Sequence, residues 1–133
     1  NIDGLHAPAQ EVLELHGSVH RNHCVRCGRA YALADILASE GVPRCSCGGI
    51  IKPDVVLYEE PLDEAVLDRA VCHIQQADLL LIGGTSLNVY PAAGLIRYFQ
   101  GRDLVILNRE PTPADRRASL VLPGSIGELF AAL

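Results

Sequence analysis

Residues 78–84 read Asp-Leu-Leu-Leu-Ile-Gly-Gly, an apolar run that ends in a pair of glycines. A strand that is apolar at every position is typical of a sheet that is buried on both faces, as parallel sheets are. The glycines are typical of a turn that follows such a strand. The stretch therefore predicts a buried strand of a parallel sheet at residues 78–82.

In the flanking sequence, patterns typical of strands alternate with patterns typical of helices. The predicted elements are a strand at 54–58, a helix at 63–76, a helix from Pro91, a strand at 104–107, a short strand at 120–122 and a helix at 126–133. This β-α-β-α-β order implies an α/β fold with a doubly wound, Rossmann-like parallel sheet. Within the helix at 63–76, Cys72 is expected to be a buried, small apolar residue.

Ligands of such sheets bind beyond the carboxyl ends of the strands, which here are residues 83–88 and 108–110. The two glycines allow backbone N–H groups to approach a phosphate or ribose, and the hydroxyls of Thr85 and Ser86 can donate as well. A glycine turn made only for packing is an equally good interpretation of this segment alone. Asn108 could contact a ribose hydroxyl or an adenine edge, but a turn residue is at least as common at such a position.

Four of the five cysteines form two close pairs, Cys24 with Cys27 and Cys45 with Cys47. Glycine follows each pair and lets the backbone turn, so that two sulfurs can face one ion. Two such knuckles predict a tetrahedral zinc ion held by four thiolates, in a zinc-ribbon module at residues 19–53. Because four thiolates leave no open coordination position, the zinc is expected to be structural.

Two alternatives remain for these cysteines. A pair of disulfides would require an oxidising compartment, and nothing in the sequence indicates secretion. His20 and His23 precede the first pair, so a site of two cysteines and two histidines is conceivable, although the cysteines already supply four ligands. Between the two pairs, residues 32–39 have a helical pattern that residues 41–43 end.

The composition argues against several classes of partner. The net charge is −5 and no basic cluster is present, so nucleic-acid binding is not expected. No apolar run approaches the roughly 20 residues of a membrane helix, so no membrane contact is expected. The compact zinc module and the lack of extensions favour a bacterial cytoplasmic protein.

The N-terminal residues hold the candidate general base. Residues 12–15 have a short helical pattern, and His16 follows it beside Gly17. Histidine is the side chain that most readily changes protonation near neutral pH, which makes His16 the natural base of this chain. A lone histidine is nevertheless more often a structural or capping residue. Residues 1–6, taken alone, predict a polar loop with one inward-facing side chain, Ile2.

Six motifs in order resemble the sirtuin family of NAD-dependent protein deacylases. They are Asn-Ile-Asp-Gly-Leu-His at 1–6, Glu-Leu-His-Gly at 14–17, the two cysteine pairs, Lys-Pro-Asp-Val-Val-Leu-Tyr at 52–58, Gly-Thr-Ser-Leu at 84–87 with Val89 and Pro91, and Asn108 with Glu110 and Thr112. The resemblance covers essentially the whole chain, and the ordered series is far more specific than any one motif. It assigns residues 1–18 and 54–133 to the C-terminal part of a Rossmann-like NAD-binding domain.

The resemblance implies a role for each motif, with NAD+ as a co-substrate. His16 would be the general base that activates a ribose hydroxyl of NAD+, and Asn1 would order the reactive site. Ile2 and Asp3 would hold the nicotinamide amide. The remaining parts of NAD+ would contact Gly84, Thr85, Ser86, Asn108, Ser125 and Ile126.

The substrate implied by the resemblance is an acylated lysine of a protein or peptide. The Val56 carbonyl would accept the N–H of the acyl-lysine. The substrate peptide would be bound by strand addition along Val56, Leu57, Tyr58, Glu59 and Glu60. Glu59 replaces the glycine that is usual in the family, which would shift peptide choice toward basic sequences. Protein mono-ADP-ribosyl transfer and a non-catalytic zinc-containing binding module are the alternative functions.

The family's glycine-rich cofactor loop has no counterpart among residues 1–133 and is expected upstream of Asn1. The chain is therefore expected to be the C-terminal portion of an enzyme, with little or no catalytic activity by itself.

Overall fold

A computed structural model describes residues 1–6 and 11–132, and the chain divides into two compact units. Unit 1 is Asn1–Leu67 and unit 2 is Asp68–Leu133. The predicted zinc module at residues 19–53 lies within unit 1, and its status as a separate domain stays a prediction.

Unit 1 is built on a small antiparallel sheet. Its elements are β1 (Gly17–Cys24), β2 (Ala30–Ala32), α1 (Leu33–Leu37) and β3 (Ile51–Val55). The strand order is β2-β1-β3, and the pairing of β1 with β3 shifts register between Ser18 and Asn22. The predicted helix at 32–39 is confirmed as α1, which begins where the Ala32 N–H donates to the Asp35 carboxylate at 2.8 Å.

Two local predictions for unit 1 are wrong. Residues 11–16 contain no helix, because the chain turns at Gly17, whose φ is +77° and where a side chain would overlap the Asp54 carbonyl oxygen. The strand predicted at 54–58 occupies Ile51–Val55 instead. It stops there because the next residues form a turn in which Glu59 adopts a φ of +71°.

The core of unit 1 is small and contains sulfur. Cys24, Cys45 and Ile51 are its buried residues, and Tyr31 and Ile36 pack against them. This core is far smaller than an ordinary aliphatic core, so the fold of unit 1 depends on what joins its cysteines.

Unit 2 contains a parallel sheet. Its strands are β4 (Leu79–Gly83), β5 (Asp103–Asn108) and β6 (Leu120–Pro123), in the order β4-β5-β6. The helices are α2 (Glu64–Gln76), which begins in unit 1, short 3-10 helices at Ala92–Tyr98 and Asp115–Arg117, and α3 (Ile126–Ala131). The prediction of an α/β fold with a parallel sheet is confirmed, although the helix predicted from Pro91 is a 3-10 helix and Leu133 lies outside the described residues.

The core of unit 2 lies along β5. Leu104, Ile106 and Leu107 are buried there, as aliphatic residues of a central strand should be. The prediction that the strand at 78–82 is buried on both faces is wrong, since Leu79 and Leu81 are 54% and 44% exposed. In the described part of the chain, β4 is an edge strand that pairs only with β5.

Cys72 is exposed, so its predicted burial is also wrong. The Gln76 amide, one turn later in α2, donates to the Cys72 sulfur at 3.2 Å. Ala70 is the buried residue of that helix. None of the helices in the described ranges has the length and apolar character needed to cross a membrane.

Candidate functional site

The four paired cysteines converge on one point of unit 1. All four Sγ atoms lie within 4.8 Å of one another. The distance from Cys24 Sγ to Cys47 Sγ is 3.5 Å, and that from Cys27 Sγ to Cys45 Sγ is 3.6 Å. A disulfide requires about 2.0 Å, so the alternative of two disulfides is wrong. Four sulfurs around a tetrahedral zinc at 2.3 Å would be about 3.8 Å apart, which the cluster matches closely.

Glycines shape the two knuckles. Gly28 N–H donates to the Cys24 carbonyl at 2.9 Å, and Gly48 N–H donates to the Cys45 carbonyl at 2.8 Å. Both glycines have positive φ, +72° and +84°, which favours glycine at these turns. Gly49 is required for a different reason, because a Cβ atom there would lie 2.7 Å from Cys24 Sγ.

The electrostatics of the cluster suit a cation. The backbone N–H of Cys47 and the Tyr31 hydroxyl lower the pKa of the Cys45 thiol to about 5. The Gly49 N–H lowers the pKa of Cys47, but the neighbouring cysteines raise it more, to about 12. Sulfurs this close cannot all be thiolates without a positive partner, and a divalent ion removes that repulsion. The cluster is therefore compatible with a structural zinc ion.

The two histidines that precede the first cysteine pair contact residues outside the cysteine cluster. His20 Nε2 hydrogen-bonds the Asp3 carbonyl at 2.9 Å, and His23 Nδ1 pairs with the Asp54 carboxylate. The alternative site of two cysteines and two histidines is therefore wrong, since the converging ligands are the four cysteines.

A second feature lies in unit 2, at the carboxyl ends of the three parallel strands. It is an open cavity of about 440 Å³. The residues that line it are Gly84, Thr85, Ser86, Asn108, Arg109, Glu110, Gly124, Ser125, Ile126 and Gly127. Six of these are the residues of unit 2 for which NAD+ contacts were predicted. The cavity thus lies where ligands of parallel α/β sheets bind.

The glycine turn of this cavity has a packing role of its own. A Cβ atom at Gly83 or Gly84 would lie 2.9 or 2.8 Å from Cδ1 of Ile126. Gly84 also has a φ of +61°, and its N–H donates to the Leu107 carbonyl at 3.1 Å. Packing against Ile126 therefore explains why positions 83 and 84 are glycine. A ligand role of this turn depends on the hydroxyls of Thr85 and Ser86. Thr85 Oγ1 accepts the Leu87 N–H at 3.1 Å.

The Asn108 side chain forms a hydrogen bond within the turn that follows β5. Its Nδ2 donates to the Glu110 carbonyl at 2.8 Å, which is the turn role considered from the sequence. Its backbone oxygen accepts the Gly124 N–H at 3.1 Å, which joins the ends of β5 and β6. Arg109 and Glu110, which belong to the predicted strand end at 108–110, also line the cavity, as do Gly124 and Gly127, which were not singled out from the sequence. A glycine directly after the short strand β6 was the signal that could have found Gly124.

The N-terminal turn and His16 lie in unit 1. His16 is half-buried immediately before β1, and its carbonyl accepts the Val56 N–H at 3.0 Å. No group in the described ranges hydrogen-bonds its imidazole. Asn1 and Asp3 are exposed, while Ile2 is half-buried. The Leu5 N–H donates to the Asp3 carboxylate at 3.0 Å and holds the pKa of that carboxyl below its usual value.

Residues 56–60 form a turn and not the expected strand. Glu60 Oε2 accepts the Leu57 N–H at 2.9 Å and the Lys52 ammonium at 3.2 Å. These two donors, the Leu57 N–H first, hold the pKa of Glu60 below its usual value. Tyr58 is 95% exposed, and Glu59 has left-handed backbone at the position where the resemblance expects glycine.

Comparison with known proteins identifies relatives along the whole chain. The Sir2 family model matches residues 1–91. An NAD-dependent protein deacetylase of Cutibacterium acnes is 58% identical over 135 residues, which cover 100% of this chain and 55% of that protein. The corresponding protein of Clostridium perfringens is 59% identical over 134 residues, with 98% and 55% covered. The chain thus spans about half the length of the curated relatives it matches.

Solved structures agree with this comparison. A complex of Sir2 with a p53 peptide and NAD+ has a TM-score of 0.89 at 38% identity, covering 99% of this chain and 58% of that one. Sir2Tm bound to a propionylated peptide has a TM-score of 0.90 at 38% identity, with 99% and 59% covered. Since the family model matches more than half of the residues, and the motifs, the sheet and the cysteine cluster agree with it, this chain belongs to the Sir2 family.

Proposed function

We propose that the protein is an NAD-dependent protein lysine deacylase that consumes NAD+ as a co-substrate. The observation that carries this proposal is the cavity at the ends of β4, β5 and β6, which is lined by the six unit 2 residues expected to contact NAD+. The relatives named NAD-dependent protein deacetylase, and the related structure containing a p53 peptide and NAD+, support the same activity.

The reaction transfers an acyl group from lysine to ADP-ribose. The acyl oxygen attacks the sugar carbon that bears nicotinamide, and the bond between that carbon and the nicotinamide nitrogen breaks. His16 then accepts the proton of a ribose hydroxyl, which attacks the acyl carbon. The bond between the acyl carbon and the lysine nitrogen then breaks as the nitrogen takes up a proton. Water adds to the remaining sugar–acyl intermediate, so the products are free lysine, nicotinamide and acyl-ADP-ribose. His16 suits this role because it is half-buried and no group in the described ranges forms a hydrogen bond with its imidazole.

The other predicted residues bind and orient. Asn1 orders the reactive site, Ile2 and Asp3 hold the nicotinamide amide, and the Val56 carbonyl accepts the acyl-lysine N–H. Zinc would be held by the four cysteine thiolates and has no open position for substrate, so its role is to stabilise unit 1. A reducing, cytoplasmic compartment suits four thiolates in one cluster, and we propose that location.

The peptide partner is an acylated lysine in an extended segment, bound along residues 56–60. In the turn described above, the Leu57 N–H is already bonded to Glu60. Strand addition would therefore require this bond to open, so that the backbone of the segment becomes available to the peptide. The exposed Glu59 side chain favours basic residues in that peptide.

The test is nicotinamide release from NAD+ with an acetyl-lysine peptide, using the complete natural protein that carries this sequence. We expect His16→Ala to lower the rate at least about 100-fold, since general-base catalysis contributes that much or more. His23→Ala is the matched control, because it removes another histidine of unit 1 whose partner is Asp54 and not a proposed ligand.

An unchanged rate in His16→Ala would remove the proposed base. ADP-ribosylated peptide without free lysine would favour mono-ADP-ribosyl transfer. Absence of nicotinamide release from the parent protein would favour a non-catalytic zinc-containing binding module.

A further inference from the structure

We propose that His20 is a positioning residue that fixes the nicotinamide-binding turn at residues 1–4. This proposal rests on the proposed function, because that function assigns the nicotinamide contact to Ile2 and Asp3. His20 itself is assigned no role by the motifs or by the zinc cluster.

Two consecutive residues of β1 hold two consecutive carbonyls of the turn. The Val19 N–H donates to the Ile2 carbonyl at 3.0 Å. The His20 ring reaches the Asp3 carbonyl through Nε2 at 2.9 Å. A carbonyl oxygen can only accept, so Nε2 carries the hydrogen in this contact. The turn is therefore attached to the strand at both residues proposed to bind the nicotinamide amide.

Gly4 makes room for this contact. Its φ is +73°, and a Cβ atom there would lie 2.7 Å from Cδ2 and 2.8 Å from Nε2 of His20. The ring thus lies against the glycine backbone as well as within hydrogen-bond distance of the Asp3 carbonyl. Asp3 is held from its other side by the Leu5 N–H, which donates to its carboxylate. The turn therefore has a local contact from Leu5 and two contacts with β1, from the Val19 N–H and the His20 ring.

The strand that carries His20 also begins next to the proposed base. β1 starts at Gly17, directly after His16, and reaches His20 three residues later. One short strand therefore sets the positions of both His16 and the Asp3 carbonyl. A shift of the turn relative to β1 would move the nicotinamide contact away from the base, which would affect cofactor binding more than peptide binding.

The first measurement compares His20→Ala, His20→Gln and the control His23→Ala in the complete natural protein. We expect His20→Ala to raise the KM for NAD+ and the inhibition constant of nicotinamide about three- to tenfold, as expected for one lost hydrogen bond. The KM for the acetyl-lysine peptide should stay unchanged. His20→Gln should restore part of the loss, because its amide N–H can donate to the same carbonyl.

The second measurement uses Gly4→Ala, alone and combined with His20→Ala. A methyl group at position 4 displaces the ring, so the two changes should be strongly non-additive in the KM for NAD+. Amide hydrogen exchange supplies a readout that needs no activity. The Val19 amide should exchange faster in His20→Ala and close to the parental rate in His20→Gln and His23→Ala.

Unchanged constants for NAD+ and nicotinamide in His20→Ala, in a parent protein that releases nicotinamide normally, would overturn the role of His20 and leave the proposed function intact. Equal losses for NAD+ and the peptide would also overturn it, because they indicate general destabilisation. A parent protein that releases no nicotinamide would instead remove the proposed function on which this role rests.

Discussion

The two units of this chain are stabilised by different kinds of interaction. Unit 1 has a small antiparallel sheet and a hydrophobic core whose buried residues are Cys24, Cys45 and Ile51. Unit 2 has a parallel sheet around the aliphatic strand β5, in which Ile106 is fully buried. The first unit therefore depends on thiolate chemistry and a metal ion, and the second on the removal of apolar surface from water. Conditions that break one unit should leave the other folded.

The largest expected effect is that of zinc removal. A chelator, or Cys45→Ser, should unfold the sheet of unit 1, because structural zinc in small modules binds with an apparent free energy of about 10–16 kcal/mol. That exceeds what a core of three residues can supply. Amide hydrogen exchange should show loss of protection in β1 and β3 and retained protection in β5.

Cys72→Ser is the control for zinc removal, because Cys72 is exposed and lies outside the cluster. It should keep one zinc ion per chain and full protection in both units. Protection of β1 that survives complete removal of zinc would contradict the distinction between the two units.

The next effect in size concerns the aliphatic core. Ile106→Ala should lower the free energy of unfolding of unit 2 by about 2–5 kcal/mol, since it leaves a cavity in a fully buried position. Urea unfolding of the 133-residue chain, followed in β5, measures this. Leu79→Ala is the control on the exposed side of β4, with an expected change within about 1 kcal/mol. Equal losses for the two variants would show that β5 is not the core of the unit.

A smaller effect is expected at Glu59. Its φ of +71° is strained for a residue with a side chain, so Glu59→Gly should stabilise unit 1 by about 1 kcal/mol. The urea unfolding of zinc-loaded Glu59→Gly should be compared with that of zinc-loaded Glu40→Gly. Glu40 is an exposed glutamate outside the turn. A loss of stability in Glu59→Gly would mean that the turn does not have the left-handed backbone described.

The smallest effect is the pH dependence of the same turn. The Leu57 N–H and Lys52 lower the pKa of Glu60 below its usual 4.5, so their contribution is complete above that value. It is lost as the pH falls through the lowered pKa of the folded protein. The chemical shift of the Leu57 amide should report this step, and Glu60→Gln should abolish it. A Leu57 shift that moves only above pH 4.5 would give the opposite sign and contradict the contact.

The sequence predicted the parts of the fold that repeat a simple pattern. The apolar runs at 78–82 and 104–107 identified two strands, and the apolar periodicity at 63–76 identified α2, because apolar runs and helical spacing are local signals. The two cysteine pairs likewise predicted a cluster, since spacing and glycine turns determine which sulfurs can meet. The family resemblance is confirmed by the match of residues 1–91.

The errors arose where a distant contact decides local structure. Gly17 turns the chain because it lies against the Asp54 carbonyl, which no window around residues 12–16 contains. The strand predicted at 54–58 lies at 51–55 because β1 pairs with those residues. The exposure of Leu79 and Leu81 depends on which strands lie beside β4, and an apolar run cannot specify that.

The contact between Ile126 and the glycine turn has a consequence for how this family can vary. The isoleucine methyl group occupies the space that a side chain at position 83 would need. A larger residue at one of these positions therefore requires a smaller residue at the other. Aligned homologues should show covariation between positions 83 and 126. Members with a bulky residue at position 83 should carry valine or a smaller residue at position 126.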